Sequence, residues 1–400
     1  MRPQPIRTLH VEAAEDGTSG GSHRSLYDLV IGLSPAGFAP TVVFYEDNPF
    51  VLPLQEAGAD VHIWDDIRKQ ERKVLGNTPK IFRFGPVARH IFRRIGFIRK
   101  HSIELVHLNN SPYVGYTDWL PAAMIRNISC LASMRGDATI NPNPRQLAAF
   151  RRYSRIIPVS HYVAQSPTCM ALEEDRVTVV VDGVDLERLR TAELSATEAR
   201  QLRSALGVLP RHEVLAVMAG TIREWKGQLR VAEAVTYLPT EDARRLRLVF
   251  AGGWGPGDEP YVTKIRSLIS REGLGETVEL LGHRDDIPQL FSAADVAIHA
   301  STTEEPFGLV VVEALAMGTP VLAARGGGPS GILQQGGGLL HEPTRPRELA
   351  GHLSSMINSP VLRLRLSEEA SVVAESYSIQ RTREAMACVF RSLTHKRSIQ

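Results

Sequence analysis

Two glutamates eight residues apart, Glu305 and Glu313, frame the segment of this sequence best suited to chemistry. The stretch Glu305-Pro306-Phe307-Gly308-Leu309-Val310 follows a short apolar run and opens a helical pattern reaching about Met317, closed by Gly318. The first turn of such a helix presents unpaired backbone N–H groups and the positive end of the helix dipole, which suits a pyrophosphate. Phe307, Gly308, Leu309 and Val310 are therefore assigned to phosphate contact, with Gly308 allowing close approach of the ligand. Eight helical residues rise about 12 Å, comparable to the reach from a sugar ring across a diphosphate to a ribose. On that ruler Glu313 accepts from a ribose diol and Glu305 lies beside the sugar. As lone acids, the pair would read as ordinary helix-start and helix-surface groups.

Three further segments add to it. In Gly220-Thr221-Ile222-Arg223-Glu224-Trp225-Lys226-Gly227, Lys226 is a mobile point charge near a helix start, and Arg223 offers a fork of donors to the same phosphates. Trp225 packs beside Lys226. Arg325-Gly326-Gly327-Gly328-Pro329-Ser330 permits backbone contact with a ligand, or is a flexible turn. Thr18-Ser19-Gly20-Gly21-Ser22 follows the first strand, so that Gly20 and Gly21 can lend amides to the donor phosphate from across a cleft. Asn109, Asn110 and Asp137 are acceptor-side candidates, turn chemistry being the alternative. The first strand–helix unit carries no Gly-x-Gly-x-x-Gly, which argues against a nicotinamide dehydrogenase, and the P-loop pattern is missing.

The elements that must position these residues are short β-branched runs separated by helical patterns. In the first half the runs are Thr8–Val11, Thr41–Tyr45, Asp60–Trp64, Leu105–Leu108, Ile128–Ser133, Arg155–Val159 and Val177–Val181. In the second they are Val214–Ala219, Leu246–Ala251, Val278–Gly282, Asp295–Ala300, Pro320–Ala323 and Gly338–Leu340. Strands alternating with helices imply parallel sheets covered on both faces. The fold class expected is α/β, with two Rossmann-like doubly wound domains facing a central cleft. The expected boundaries are 1–190 for the acceptor domain, 191–375 for the donor domain, and 376–400 for a helix returning to the first domain. The seam lies in the polar stretch Asp185–Leu206.

The 400 residues are 43% hydrophobic and 22% charged, values of a globular protein of two ordinary domains. Three scattered cysteines offer neither a disulfide framework nor metal-ligand spacing, so no metal is assigned and a reducing cytoplasm is favoured. No secretory leader or spanning segment is expected. Net charge is only +2, yet Arg68 to Lys100 holds eleven Lys or Arg against one acid, Glu71. Within it Ile91, Ile95 and Ile98 form an apolar stripe, flanked by Arg89, Arg93, Arg94, Arg99 and Lys100. Peripheral membrane contact through 68–100, at the inner face of the plasma membrane, is one reading; a core-packed helix with a basic exposed face is the other. A nucleic-acid partner is not expected, because no binding motif accompanies the patch.

Taken in order along the chain, these segments resemble the retaining glycosyltransferases of the GT-B architecture, family 4 (glycosyl transferases group 1). The resemblance runs through Gly20-Gly21, Val159-Ser160 and Asp182-Gly183-Val184-Asp185, where the family commonly has Asn-Gly-Val-Asp. It continues through Lys226-Gly227, Leu281-Gly282 and the run from His299 to Ala323, whose Glu305 and Glu313 match the family's Glu-x7-Glu. It implies retention of anomeric configuration, no cofactor or obligatory metal, and a nucleoside-diphosphate sugar donor, UDP being favoured over GDP. Three positions depart from the family. Thr221 stands where Arg is frequent, Arg135 where many members carry His, and Ser330 where Glu is common. Arg135 is then expected to stabilise charge or recognise an anionic acceptor. The function expected is transfer of a hexose or N-acetylhexosamine to a polysaccharide, lipid-linked or small-molecule acceptor. A sugar-phosphate synthase, a disaccharide phosphorylase and a non-catalytic nucleotide-sugar binder are the rivals.

Overall fold

A computed structural model describes residues 4–13, 20–65, 67, 69, 84–136 and 139–395. The chain divides into two compact units, Met1–Gly183 with Ile379–Gln400, and Val184–Ser378. The first holds β1 (Ile6–Glu12), β2 (Phe38–Phe44), β3 (Asp60–Ile63), β4 (Leu105–Leu108), β5 (Ser129–Met134) and β6 (Arg155–Pro158). They form one parallel sheet in the order β3-β2-β1-β4-β5-β6. The second holds β7 (Val214–Ala219), β8 (Leu246–Ala251), β9 (Val278–Gly282), β10 (Val296–His299), β11 (Val321–Ala324) and β12 (Gly338–His341). Its order, β12-β11-β10-β7-β8-β9, repeats the first. Each is a doubly wound sheet whose order reverses beside its first strand, between β1 and β4 and between β7 and β10. Ligands collect at such reversals because the flanking crossovers leave by opposite faces and open a crevice at the carboxyl ends.

The strands form where the sequence is apolar on both faces. Every residue of β7 (Val-Leu-Ala-Val-Met-Ala) is buried, as is every residue of β8. An alternating pattern would have left one face wet, so these runs belong to sheets with helices on both sides. One expected strand does not form. Val177 makes only an isolated bridge to Ile156, although the Thr178 and Val180 amides donate to the Ile156 and Pro158 carbonyls at 3.0 and 3.1 Å. A parallel ladder needs a return donation from Pro158, which has no N–H, so pairing stops there.

The polar stretch expected as a seam folds into two helices, Leu186–Arg190 and Ala196–Ala205, inside the second unit. Where the chain passes between units, Val184 N–H donates to the Tyr377 carbonyl at 2.9 Å, laying the two crossings side by side. Tyr377-Ser378 separates the helices Pro360–Glu375 and Ile379–His395. The last helix joins the first unit's core through Met386, Ala387 and Phe390, which pack with Leu26, Leu29 and Phe38.

The helix Phe84–Lys100 corrects one expectation. Arg94 is fully buried, paired with Asp118 at 3.0 Å and placed 5.0 and 5.5 Å from the Trp64 and Trp119 rings. It is a core cation and no part of a basic surface. Arg89, Arg99 and Lys100 are exposed, as is Phe92 at 70%. Most of 68–83 lies outside the described residues.

Candidate active site

In the second unit, three loops leave the carboxyl ends of adjacent strands. One runs from β7 to Lys226, one from β10 to the helix Leu309–Ala316, and one from β11 to the helix Gly327–Leu333. Glu305 is their centre. Lys226 Nζ donates to both of its oxygens at 3.0 and 2.9 Å, Ser301 Oγ donates at 2.8 Å, and His299 Nε2 lies 2.8 Å away. The carboxylate and the ammonium are each only 16% exposed. Burial alone would raise the Glu305 pKa, but the hydrogen bond and charge of His299, then the Lys226 charge, reverse that and hold it well below the usual range. Glu305 is thus a fixed anion.

Lys226 is expected as a mobile phosphate cation; here it is tied down, with Nζ also 4.2 Å from the Trp225 ring centroid. Arg223 turns the other way, its Nε 3.6 Å from Asp258 Oδ2. The helix Leu309–Ala316 begins at Gly308 without a side-chain cap, so its first-turn amides at Leu309 and Val310 are not taken up by the usual Ser, Thr or Asp. Glu313 is half-buried on the second turn of this helix.

The glycines of this region allow close packing within the protein. A Cβ on Gly308 would stand 2.9 Å from Pro329 Cγ, and its φ of 97° is left-handed. A Cβ on Gly327 would stand 2.2 Å from the Glu305 carbonyl oxygen, and one on Gly328 would stand 2.3 Å from that of Phe307. The Gly328 amide donates to the Glu305 carbonyl at 2.8 Å. The glycine loop therefore packs closely on the Glu305–Phe307 backbone, as a fixed and not a flexible turn. Ser330 accepts the Gly326 amide at 2.7 Å and closes that turn.

The first unit builds a different cluster at its own reversal. Glu12 ends β1 fully buried and accepts from Asn109 Nδ2 at 2.6 Å and from Asn110 Nδ2. Asn109 also donates to the Ser22 carbonyl at 3.0 Å, fastening the start of the helix Gly21–Val30. Gly20 precedes that helix and Gly21 opens it, both exposed. Arg135 donates through Nε to the Asn109 carbonyl at 2.9 Å and through NH1 to Asp182, and both ends of that pair are nearly buried. Burial pushes the Asp182 pKa up, against the pull of Arg135 and Ser25. The Arg135 charge is thereby neutralised from within the protein. Asp137 lies outside the described residues.

Family comparisons follow this division. The model for "Glycosyl transferases group 1" matches residues 206–372, and that for "Glycosyltransferase Family 4" matches residues 19–188. The chain belongs to the group 1, family 4 glycosyltransferases of the GT-B fold. Among relatives, it is 30% identical over 223 residues to a D-inositol 3-phosphate glycosyltransferase of Corynebacterium glutamicum, covering 54% of this chain and 52% of that protein. The same description attaches to a protein of Saccharomonospora viridis, 33% identical over 223 residues, 54% of this chain and 50% of that one. The chain thus spans about half the length of the curated relatives it matches. In structure it resembles the Anabaena HepE protein solved with UDP and glucose, at TM-score 0.78 and 22% identity, covering 97% of this chain and 100% of that one. It also resembles a Rickettsia africae glycosyltransferase, at TM-score 0.82 and 18% identity, covering 97% and 98%.

Within this family member, sequence reasoning passed over Glu12, His299 and Ser301 as site residues. Each directly ends or follows a strand next to the sheet reversal, and that position is the signal that would have found them. Asp182 stood in a recognised motif without a role; its role here is to hold Arg135.

Proposed function

We propose that this chain transfers a hexose or N-acetylhexosamine from a nucleoside-diphosphate sugar to a hydroxyl acceptor, with retention at the anomeric carbon. The observation that carries the reading is the buried ionised Glu305, held by Lys226 and His299 four residues before the uncapped helix that starts at Leu309. In this reading Glu305 faces the sugar. Lys226, Arg223 and the amides from Phe307 to Val310 neutralise the leaving diphosphate. Charge developing on that group in the transition state meets donors already in place, which lowers the barrier. Glu313 takes the ribose hydroxyls. Gly20 and Gly21 offer phosphate contacts from the first unit, and Asn109, Asn110 and Asp137 belong to the acceptor side. Arg135 acts as a positioning residue, since its charge is spent on Asp182.

UDP is preferred as the base because the HepE protein was solved with UDP and with UDP-glucose. Lipid-linked or polysaccharide acceptors are the first choice, with the exposed Arg89, Arg99, Lys100 and Phe92 meeting an anionic bilayer. A second reading, a soluble phosphorylated polyol as acceptor, is favoured by the description of the relatives as D-inositol 3-phosphate glycosyltransferases. Calorimetric titration with UDP- and GDP-sugars, with and without chelator, tests the donor half. One donor should bind, and Glu313→Ala should weaken it by roughly tenfold, the loss of one charge-assisted contact. A folded protein that binds none of these donors ends the proposal. With a donor in hand, NMR of the product anomer decides retention, and turnover with lipid-linked against phosphorylated acceptors separates the two readings.

A further inference from the structure

We propose that Asp60, His62 and His101 form a binding site for a zinc-type divalent cation at the outer edge of the first sheet. Their ligand atoms, one from each residue, all lie within 4.8 Å of one another. Asp60 opens β3, and His62 stands two residues on, so both side chains leave the strand on one face. His101 directly follows the helix Phe84–Lys100, its amide bonded to the Phe97 carbonyl at 3.0 Å. Three residues from two elements thus converge on one point.

The donors are already turned inward. His101 Nδ1 lies 2.9 Å from Asp60 Oδ2. His62 Nε2 lies 3.0 Å from Asp60 Oδ1 and has no further partner among the described residues. Phe97 holds both rings. It stacks on His101 at 4.2 Å and 26°, and meets His62 edge-on at 5.0 Å and 88°. The imidazoles stand 4.8 Å apart at 82°, so neither blocks the other's approach to a shared ion.

The chemistry selects the ion. Two imidazole nitrogens and one carboxylate suit zinc and its neighbours better than magnesium or calcium, which prefer all-oxygen shells. Ligands at about 2.0–2.1 Å around a tetrahedral zinc sit about 3.4 Å apart. The two Asp60–histidine contacts, at 2.9 and 3.0 Å, would open by a few tenths of an ångström, and the widest pair, within 4.8 Å, would close toward that spacing by rotation of the side chains. Asp60 is 53% exposed while His62 and His101 are 29% and 14%, so the ion has an entrance and a fourth position for water. Arg7, which lines the same depression, directs its Nε to the Ser102 carbonyl at 2.9 Å and lies 3.9 Å from Glu104. Its charge is therefore compensated away from the site.

The cluster sits at the start of β3, whereas Glu12 and Asn109 lie at the ends of β1 and β4. The ion would serve no step of sugar transfer. It would clip the edge strand β3 to the end of the helix Phe84–Lys100, closing an edge that is otherwise a pairing hazard.

The test is calorimetric titration of the chelator-stripped full chain with zinc chloride, alongside melting with and without zinc. One zinc per chain should bind and raise the melting temperature. His62→Ala and His101→Ala should each weaken binding by more than about tenfold. His283→Ala is the control, because that exposed histidine lies 3.1 Å from Asp285 and is the natural place for adventitious zinc; it should change nothing. X-ray absorption of the zinc-loaded unmodified chain gives a reading independent of variant folding, with two imidazoles expected in the first shell. No zinc binding, affinity unchanged from the unmodified chain in either site variant, or an all-oxygen shell overturns the proposal.

Discussion

The two units carry the same strand order and place charge at the same reversal, yet they solve the electrostatics in opposite ways. In the second unit a cation after the first strand, Lys226, holds an acid after the fourth, Glu305, together with His299 and Ser301. In the first unit the acid Glu12 ends the first strand and is satisfied by the neutral amides of Asn109 and Asn110, while the cation Arg135 is cancelled by Asp182. One site keeps an ionised pair beside an uncapped helix start, the place proposed here for a diphosphate. The other consumes its charges internally. The lesson is that topology picks the place for a site, and the residues at the strand ends decide whether its charge is available to a ligand.

The strongest way to break this contrast is to leave one first-unit charge alone. Arg135→Ala strands Asp182 in a buried setting and should cost about 3–5 kcal/mol in urea unfolding, with most of it recovered in the Arg135→Ala/Asp182→Asn double variant. Unchanged stability would mean that Arg135 is not spent on Asp182 and is open to an acceptor. In the second unit Lys226→Ala should act on turnover instead, lowering kcat/KM with the donor by about 10²–10³-fold. Full activity would remove Lys226 from the proposed site. Gly327→Ala sharpens the packing argument. Its Cβ meets the Glu305 carbonyl and its φ of 63° is left-handed, so about 1–2 kcal/mol of stability should be lost together with donor affinity. Loss of either without the other would separate that packing from the site.

A last test is pH. His10 and His107 are buried register partners, with Nδ1 atoms 3.1 Å apart. Burial lowers the His10 pKa from 6.5 to about 3, and burial followed by the charges of His10 and Arg135 lowers that of His107 well below 6.5. Below about pH 6.5 the unfolded chain takes up protons that the folded unit refuses, so stability present above that pH is lost as pH falls. The slope is about 1.4 kcal/mol per pH unit for each histidine. Glu305 has the same sign but a lower window, its contribution full above about pH 4.5 and fading below. Asp182, with its raised pKa, opposes the histidines in part. His212 and His341 of the second unit are lowered by burial too and add to the loss. Calorimetric scans between about pH 7 and pH 5 should therefore show stability falling, with a flatter response in His107→Gln. An unchanged slope in His107→Gln would contradict the assignment.

Much of the fold was legible because it is local. The runs Val214–Ala219, Leu246–Ala251 and Val278–Gly282 are strands to the residue, since short apolar-rich runs between turn signals and helical patterns favour strands. The failed strand at Val177–Val181 was not, because the missing donor belongs to Pro158, a residue of another segment. The site was legible in its glutamates and its lysine, but their pairing was not. Arg94 read as surface charge because helical periodicity cannot see Asp118 or the two tryptophans that receive it.

By itself the sequence determined the alternation of strand and helix, the doubly wound class, and the run from His299 to Ala323 as the place to look for chemistry. Each of these follows from propensity, periodicity and turn residues within a few positions of one another. Only the tertiary structure decided that Lys226 meets Glu305 across 79 residues, that Asn109 meets Glu12 across 97, and that Arg135 is cancelled by Asp182 across 47. It also decided that Gly327 and Gly328 lie close against a neighbouring backbone. The reason is physical: crossovers in a parallel sheet bring distant strand ends together, and charge pairing depends on distance through space, which no spacing along the chain encodes.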